Sequence, residues 1–138
     1  MTTHSHSRAG GLLQGALAVL AGLVTVFVLS LATDHLFHSL GVFPPWGEPM
    51  LETGDNLIAL AYRALYAVLG GYVTAWLAPR APVGHALVLG MIGIALATLG
   101  AVAAWEMSPA WFLLALIAIS LPAAWLGGTL YQRRVRSE

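Results

Sequence analysis

Apolar residues along the chain collect into four long runs, which short polar or proline-containing segments separate. Each run holds about 20 mostly apolar residues, the length that a helix needs to cross the hydrocarbon core of a bilayer. The spans lie at about 12–33, 56–78, 83–105 and 109–131. The pattern predicts an all-α polytopic membrane protein, an antiparallel four-helix transmembrane bundle with an outer connection of about 20 residues between spans 1 and 2.

The two chain ends are polar. Residues 1–11 predict a disordered cytoplasmic N-terminal tail, residues 12–131 the four-span transmembrane domain, and residues 132–138 a basic cytoplasmic tail. Arg8 and the apolar run after it also resemble a secretory signal peptide. However, the run of about 20 residues exceeds the usual 7–15 of a signal core. We therefore favour an uncleaved first span.

Composition supports lipid as the solvent of this chain. It is 59% hydrophobic and only 9% charged, against about 25% charged in soluble domains. The absence of cysteine and lysine excludes disulfides, thiolate metal sites and Schiff-base chemistry. The formal net charge is zero, so nothing in the charge balance indicates a nucleic-acid partner; the expected partner is the lipid bilayer itself.

The charged residues predict the orientation. The arginines that lie outside the spans all fall on one side, because an even number of spans separates their positions. They are Arg8, Arg80, Arg133, Arg134 and Arg136. The other side carries acids and no arginine: Asp34, Glu48, Glu52, Asp55 and Glu106. Because arginines favour the cytoplasmic side, we expect a multi-pass protein of the bacterial cytoplasmic (inner) membrane with both termini cytoplasmic.

One arginine lies inside a span. Arg63 interrupts the apolar run LIALAYRALYAVLGG at residues 57–71, about 10 Å below the outer boundary at ~1.5 Å per residue. Helical side chains lean toward the helix N-terminus, which for span 2 is the acidic side. We predict an intramembrane charge site formed by Arg63, Asp34, Asp55, Glu106, Tyr62 and Tyr66. The favoured interpretation is a structural ion pair. The alternatives are an outward-facing polar site that binds an anion or a carboxylate, and a contact with a partner membrane protein.

Small residues recur at steps of three and four along the spans, as expected of closely packed membrane helices. The helix-packing positions are Gly90, Gly93, Ala97 and Gly100 in span 3, Gly70 in span 2 and Gly22 in span 1. We interpret them chiefly as intramolecular contacts. Since span 3 carries more small residues than one neighbour requires, a homo-oligomer interface is the alternative.

Motifs for catalysis or cofactors are absent from the sequence, which contains no G-x-S-x-G, H-E-x-x-H or phosphate loop. Asp34, His35 and His38 form a short D-H-x-x-H cluster of zinc-ligand types, but this spacing alone is weak, and we favour no metal. No span interior contains an acid of the kind that proton-coupled small exporters use. We predict no enzyme activity and no cofactor.

The runs GVFPPWGEPM and AYRALYAVLGGYVTAWLAPRAPVGHALVLG resemble a class of small uncharacterised four-span bacterial integral membrane proteins. The resemblance implies topology and location but no activity. Two functions are therefore compatible with the sequence. We favour a non-enzymatic accessory or interaction subunit whose partner is another membrane protein or a second copy. The alternative is a small oligomeric transporter or channel with Arg63 in its polar site.

Overall fold

The computed structural model describes the backbone of residues 3–138 and the side chains of residues 8–138. It contains four α-helices and, within that range, no strand. The helices are α1 (Thr3–Ser39), α2 (Thr53–Leu77), α3 (Pro82–Ala103) and α4 (Ala110–Ser137). The prediction of an all-α chain with four long apolar helices is confirmed.

All four helices are long and apolar enough to cross a membrane. Their outer surfaces carry large aliphatic side chains, of which Leu12 and Val102 are each 77% exposed. An apolar surface this extensive would associate in water, whereas lipid tails solvate it. The helices therefore suggest a multi-pass membrane protein.

Helices α1 and α4 are longer than the spans predicted from hydrophobicity. Helix α1 already covers residues 3–11, where a disordered tail was expected; residues 1 and 2 lie outside the described part. It also continues past residue 33 to Ser39 and ends before Gly41, whose φ is +75°. Helix α4 continues to Ser137. No proline precedes Pro44, so nothing in the sequence interrupts α1 where its apolar run ends.

Helix α2 is the centre of the fold. It packs against both α1 and α4, while α3 packs mainly against α4. Among the residues that the structure describes, α1 and α4 are not in contact, and α1 and α3 touch least of the packed pairs. Helix α1 is therefore held chiefly by α2, and its seam with α3 is open. That seam contains the cavities described below.

Glycines allow the closest approaches between helices. A Cβ added to Gly22 of α1 would overlap the hydroxyl of Thr74 and lie 2.7 Å from the carbonyl of Gly70 on α2. A Cβ on Gly90 of α3 would lie 2.8 Å from Leu121 of α4. Three of the predicted packing residues, Gly22, Gly70 and Gly90, are therefore at helix contacts. These approaches depend on the absence of a side chain, as is usual between membrane helices.

Candidate functional site

Arg63 lies on the face of α2 that contacts α1. Its Nη2 donates to Oδ2 of Asp34 at 2.7 Å. The side chain of Asp34 is 10% exposed and that of Arg63 is 32% exposed. The extension of α1 beyond residue 33 places Asp34 on a regular helix at the level of Arg63. The buried carboxylate thus meets the guanidinium across a helix–helix contact.

The second oxygen of Asp34 is also occupied. The hydroxyl of Tyr62 donates to Oδ1, so Arg63 and Tyr62 bind different oxygens of one carboxylate. The pair is therefore not the bidentate fork-to-carboxylate arrangement that guanidinium geometry permits. A neutral phenol and a cation together solvate the charge of Asp34, which burial would otherwise destabilise.

A hydrogen bond one helical turn away continues this α1–α2 contact. The hydroxyl of Thr33 donates to the carbonyl of Leu29 at 2.8 Å and lies 2.8 Å from the hydroxyl of Tyr66. Because a hydroxyl has one proton to donate, Tyr66 is the donor to Thr33. Tyr62, Arg63 and Tyr66 thus use one face of α2, at helical spacings of three and four, to bind two adjacent residues of α1.

The far side of the guanidinium faces α4. The Cζ atom of Arg63 lies 5.9 Å from the ring centroid of Phe112, within the range of a cation–π interaction. Its Nε atom is buried and has no hydrogen-bond partner. The guanidinium therefore retains an unused donor although its charge is paired.

Two of the predicted acids are not part of this cluster. Within residues 8–138 the ion pairs are Arg63–Asp34 and Arg134–Glu138, so neither Asp55 nor Glu106 pairs with Arg63. Asp55 lies two turns above Arg63 on the same helix, about 12 Å away along the axis. Glu106 is exposed in the connection after α3. The acid at the same level on a neighbouring helix is the one that reaches the guanidinium.

The histidines beside Asp34 do not converge on it. His35 is exposed, while His38 stacks on Trp46 with ring centroids 3.9 Å apart and bonds the carbonyl of Pro44 through Nδ1. The carboxylate of Asp34 is already bound by Arg63 and Tyr62. Among residues 8–138, no group of three His, Asp or Glu side chains is arranged to hold a metal ion.

The connection between α1 and α2 folds over the charge site. Phe43 is buried in a cluster with residues of the helix ends and contacts the ring of Phe37 at 5.2 Å, which in turn lies 5.7 Å from Tyr62. Trp46 and Leu40 remain exposed. The connection therefore covers the site with Phe43 and presents other apolar side chains outward.

Asn56, the first residue of predicted span 2, holds the end of this connection by hydrogen bonds. It is fully buried, and its Nδ2 donates to the carbonyls of Met50 at 3.0 Å and Glu52 at 2.8 Å. The N-cap of α2 is Glu52, which makes no side-chain capping bond. The sequence contained one signal for this role, an asparagine within a predicted apolar helix. A side-chain amide that is buried there needs hydrogen-bond partners inside the protein.

A cavity of about 450 Å³ leads from Arg63 into the open seam between α1 and α3. We call it the Arg63 cleft. Its floor is the small-residue face of α3, and its walls include Phe27 of α1 and Leu116 of α4. Apart from Arg63 and a few serines, the lining is apolar. The cleft thus combines one cation with walls suited to hydrocarbon.

The small-residue face of α3 divides into two halves. Gly90 and Gly93 face α4, with added Cβ atoms 2.8 Å from Leu121 and 3.3 Å from Ser120. Ala97 lines the cleft. Gly100 also lines it, and an added Cβ there would meet nothing within 4 Å. Gly100 therefore has no close neighbour on another described helix, and its role in helix packing stays a prediction. Helix α4 thus lies against the first half of the face, where Gly90 and Gly93 also line the cleft, while Gly100 in the second half faces open space.

Comparison with protein families, curated proteins and solved structures finds no significant match to this chain. Inferences about its function therefore depend on its own residues.

Proposed function

We propose that the chain is a non-enzymatic accessory subunit of the bacterial cytoplasmic membrane, which binds a transmembrane helix of another membrane protein or of a second copy in the Arg63 cleft. The observation that supports this most is the open position at Gly100, on the small-residue face of α3 that lines the cleft. Membrane helices associate where small residues let backbones approach, and no other helix in the described part of the chain comes within 4 Å of a Cβ at Gly100.

The paired state of Arg63 supports a binding role over ion conduction. Its charge is neutralised by Asp34 at 2.7 Å, so the cleft presents little net charge to an incoming helix. Arg63 is about a third exposed and its Nε–H has no partner, so this N–H is the group that would donate to a carbonyl or hydroxyl oxygen of the bound helix. A hydrogen bond of this kind adds orientation to a contact that is otherwise apolar.

The proposed orientation is an antiparallel four-span bundle with both termini in the cytoplasm. The arginines at one end of the helices support it: Nη2 of Arg80 lies 3.6 Å from the Cβ position of Gly11, and Arg134 donates to the hydroxyl of Tyr72 at 3.0 Å. We call this the arginine end. Reporter fusions after Glu138 and within residues 42–52 should report opposite sides of the membrane. A periplasmic C-terminus would contradict the orientation.

Cysteine cross-linking tests the binding role, because the natural chain contains no cysteine. Gly100→Cys should form a specific cross-link in native membranes, and the mass of the product distinguishes a second copy from another protein. Leu114→Cys, on an exposed face of α4, is the control and should give no such product. Gly100→Leu should abolish the complex without unfolding the subunit, since the position is open. A complex that survives Gly100→Leu would refute the proposal.

A small oligomeric transporter or channel is the second candidate, and the exposure of Arg63 supports it. About a third of the side chain is accessible, and the residue lines the cleft. In this case Arg63→Gln should lower anion flux into proteoliposomes while the control Arg133→Gln leaves it unchanged. Absence of flux from the natural protein would remove this candidate.

A further inference from the structure

A second cavity, of about 770 Å³, lies in the α1–α3 seam at the arginine end. We call it the Arg80 groove. Arg8, Arg80 and His85 line one end of it, and the rest is mainly aliphatic, with Leu12, Val19, Leu20, Leu23, Val88 and Ile92. Leu23 also lines the Arg63 cleft, so this side chain separates the two cavities. The groove is open toward the surroundings of the helices, where lipid is the solvent of a membrane protein.

Two arginines at the mouth of the groove have no acidic partner. Within residues 8–138 the only ion pairs involve Arg63 and Arg134, so neither Arg8 nor Arg80 is paired. The acids other than Glu138 belong to the opposite end of the helices. The mouth therefore has a local positive charge that nothing in the described chain neutralises, and an anion would complement it.

Glycines of α1 bring these basic side chains together. The Cβ position of Gly11 lies 3.6 Å from Nη2 of Arg80, and a Cβ on Gly15 would overlap Nε2 of His85. Arg80 thus lies against the bare backbone of α1 one turn after Arg8, and His85 lies against it one turn further on. Arg80 comes from the α2–α3 turn, in which Ala81 adopts φ +48°. The mouth is assembled from two separate parts of the fold.

The length of the groove matches one leaflet. From Leu12 to Leu23 the axis of α1 rises about 16 Å at ~1.5 Å per residue. Half of the hydrocarbon core of a bilayer is about 15 Å thick. Arg8 lies one further turn outward, at the level where lipid phosphates begin. A phospholipid whose phosphate meets Arg8 and Arg80 could therefore extend one acyl chain down to Leu23.

We propose that the Arg80 groove binds one anionic phospholipid of the leaflet at the arginine end, with the headgroup on Arg8 and Arg80 and an acyl chain between α1 and α3. The uncompensated charge selects an anionic headgroup, and the aliphatic lining excludes free phosphate as the natural occupant. The inference depends on membrane insertion but not on a partner in the Arg63 cleft, so either proposal can fail alone.

Native mass spectrometry of the detergent-purified protein tests the inference, with phosphatidylglycerol and phosphatidylcholine as probes. The natural protein should retain phosphatidylglycerol preferentially. Arg8→Gln and Arg80→Gln should each lower its affinity about fivefold, the usual effect of one basic residue near an anionic lipid surface. The double variant Arg8→Gln with Arg80→Gln has a matched control, Arg133→Gln with Arg136→Gln, which also removes two charges at the same end but outside the groove.

The outcomes separate the alternatives. If the Arg8/Arg80 double variant and the control lose the same affinity for phosphatidylglycerol, the lipid binds through non-specific surface charge and the proposal is overturned. Equal retention of phosphatidylglycerol and phosphatidylcholine by the natural protein would also overturn it. Inorganic phosphate that displaces the lipid at micromolar concentration would identify a free-anion site instead. Ala16→Phe fills the groove while keeping both arginines, and unchanged lipid retention in this variant would refute the acyl-chain part.

Discussion

The contribution of the Arg63–Asp34 pair can be measured by a double-mutant cycle. Arg63→Gln removes the cation and leaves a carboxylate that is 10% exposed with Tyr62 as its remaining donor. Two unit charges about 4 Å apart attract by about 4 kcal/mol at an effective dielectric constant of ~20. Desolvation of both groups offsets part of this attraction. Hydrogen bonds to charged groups contribute about 1.5–3 kcal/mol net, so we expect a loss of about 2 kcal/mol.

The second variant tests whether the loss comes from the pair itself. Asp34→Asn removes the charge that Arg63→Gln leaves buried, so the double variant should be more stable than the sum of the single losses predicts. We expect a coupling of about 1–2 kcal/mol, within the range for residues in direct contact. Arg63→Lys should retain most of the stability, because only one guanidinium nitrogen bonds the carboxylate.

Reversible unfolding by sodium dodecyl sulfate titration in mixed micelles provides the free energies for this cycle. Arg133→Gln, an exposed change at the other end of the bundle, is the control and should stay within about 0.5 kcal/mol of the natural protein. Strictly additive single losses, or an Arg63→Gln protein as stable as the control, would refute a stabilising ion pair. The accessible Arg63 would then be better explained as a ligand-binding residue.

Three further changes should alter stability in the same assay. Gly22→Ala should destabilise the fold by about 1–3 kcal/mol, because the new methyl group overlaps Thr74. Gly100→Ala is the control and should be tolerated, since that position is open. Equal effects of the two substitutions would contradict the close approach of α1 and α2. Asn56→Ala should lose about 2 kcal/mol through the two hydrogen bonds that its Nδ2 donates. A change below about 0.5 kcal/mol, the effect of a surface substitution, would contradict that role. Ala81→Gly should stabilise the fold by up to about 1 kcal/mol, because the φ of Ala81 is +48° and the left-handed region is unfavourable for alanine. A loss of stability in this variant would contradict a strained turn.

The local sequence was sufficient for features that depend on a single helix. Apolar runs of about 20 residues predicted four membrane-length helices, and the structure has them. The lean of helical side chains toward the N-terminus predicted that Arg63 would reach upward to an acid. Segment ends were less accurate: α1 continues to Ser39, because backbone hydrogen bonding does not stop where hydrophobicity stops.

Only the tertiary structure determines which residues of different helices contact each other. Asp34, Asp55 and Glu106 were equal candidates in sequence, and Asp34 pairs with Arg63 because the α1–α2 contact brings it to the same level. The small-residue stripe of α3 has one period, yet α4 covers Gly90 while Gly100 remains open. Periodicity describes one face of one helix, but the neighbour of that face depends on how all four helices pack. The two cavities of the α1–α3 seam exist for the same reason, since α1 is held mainly by α2.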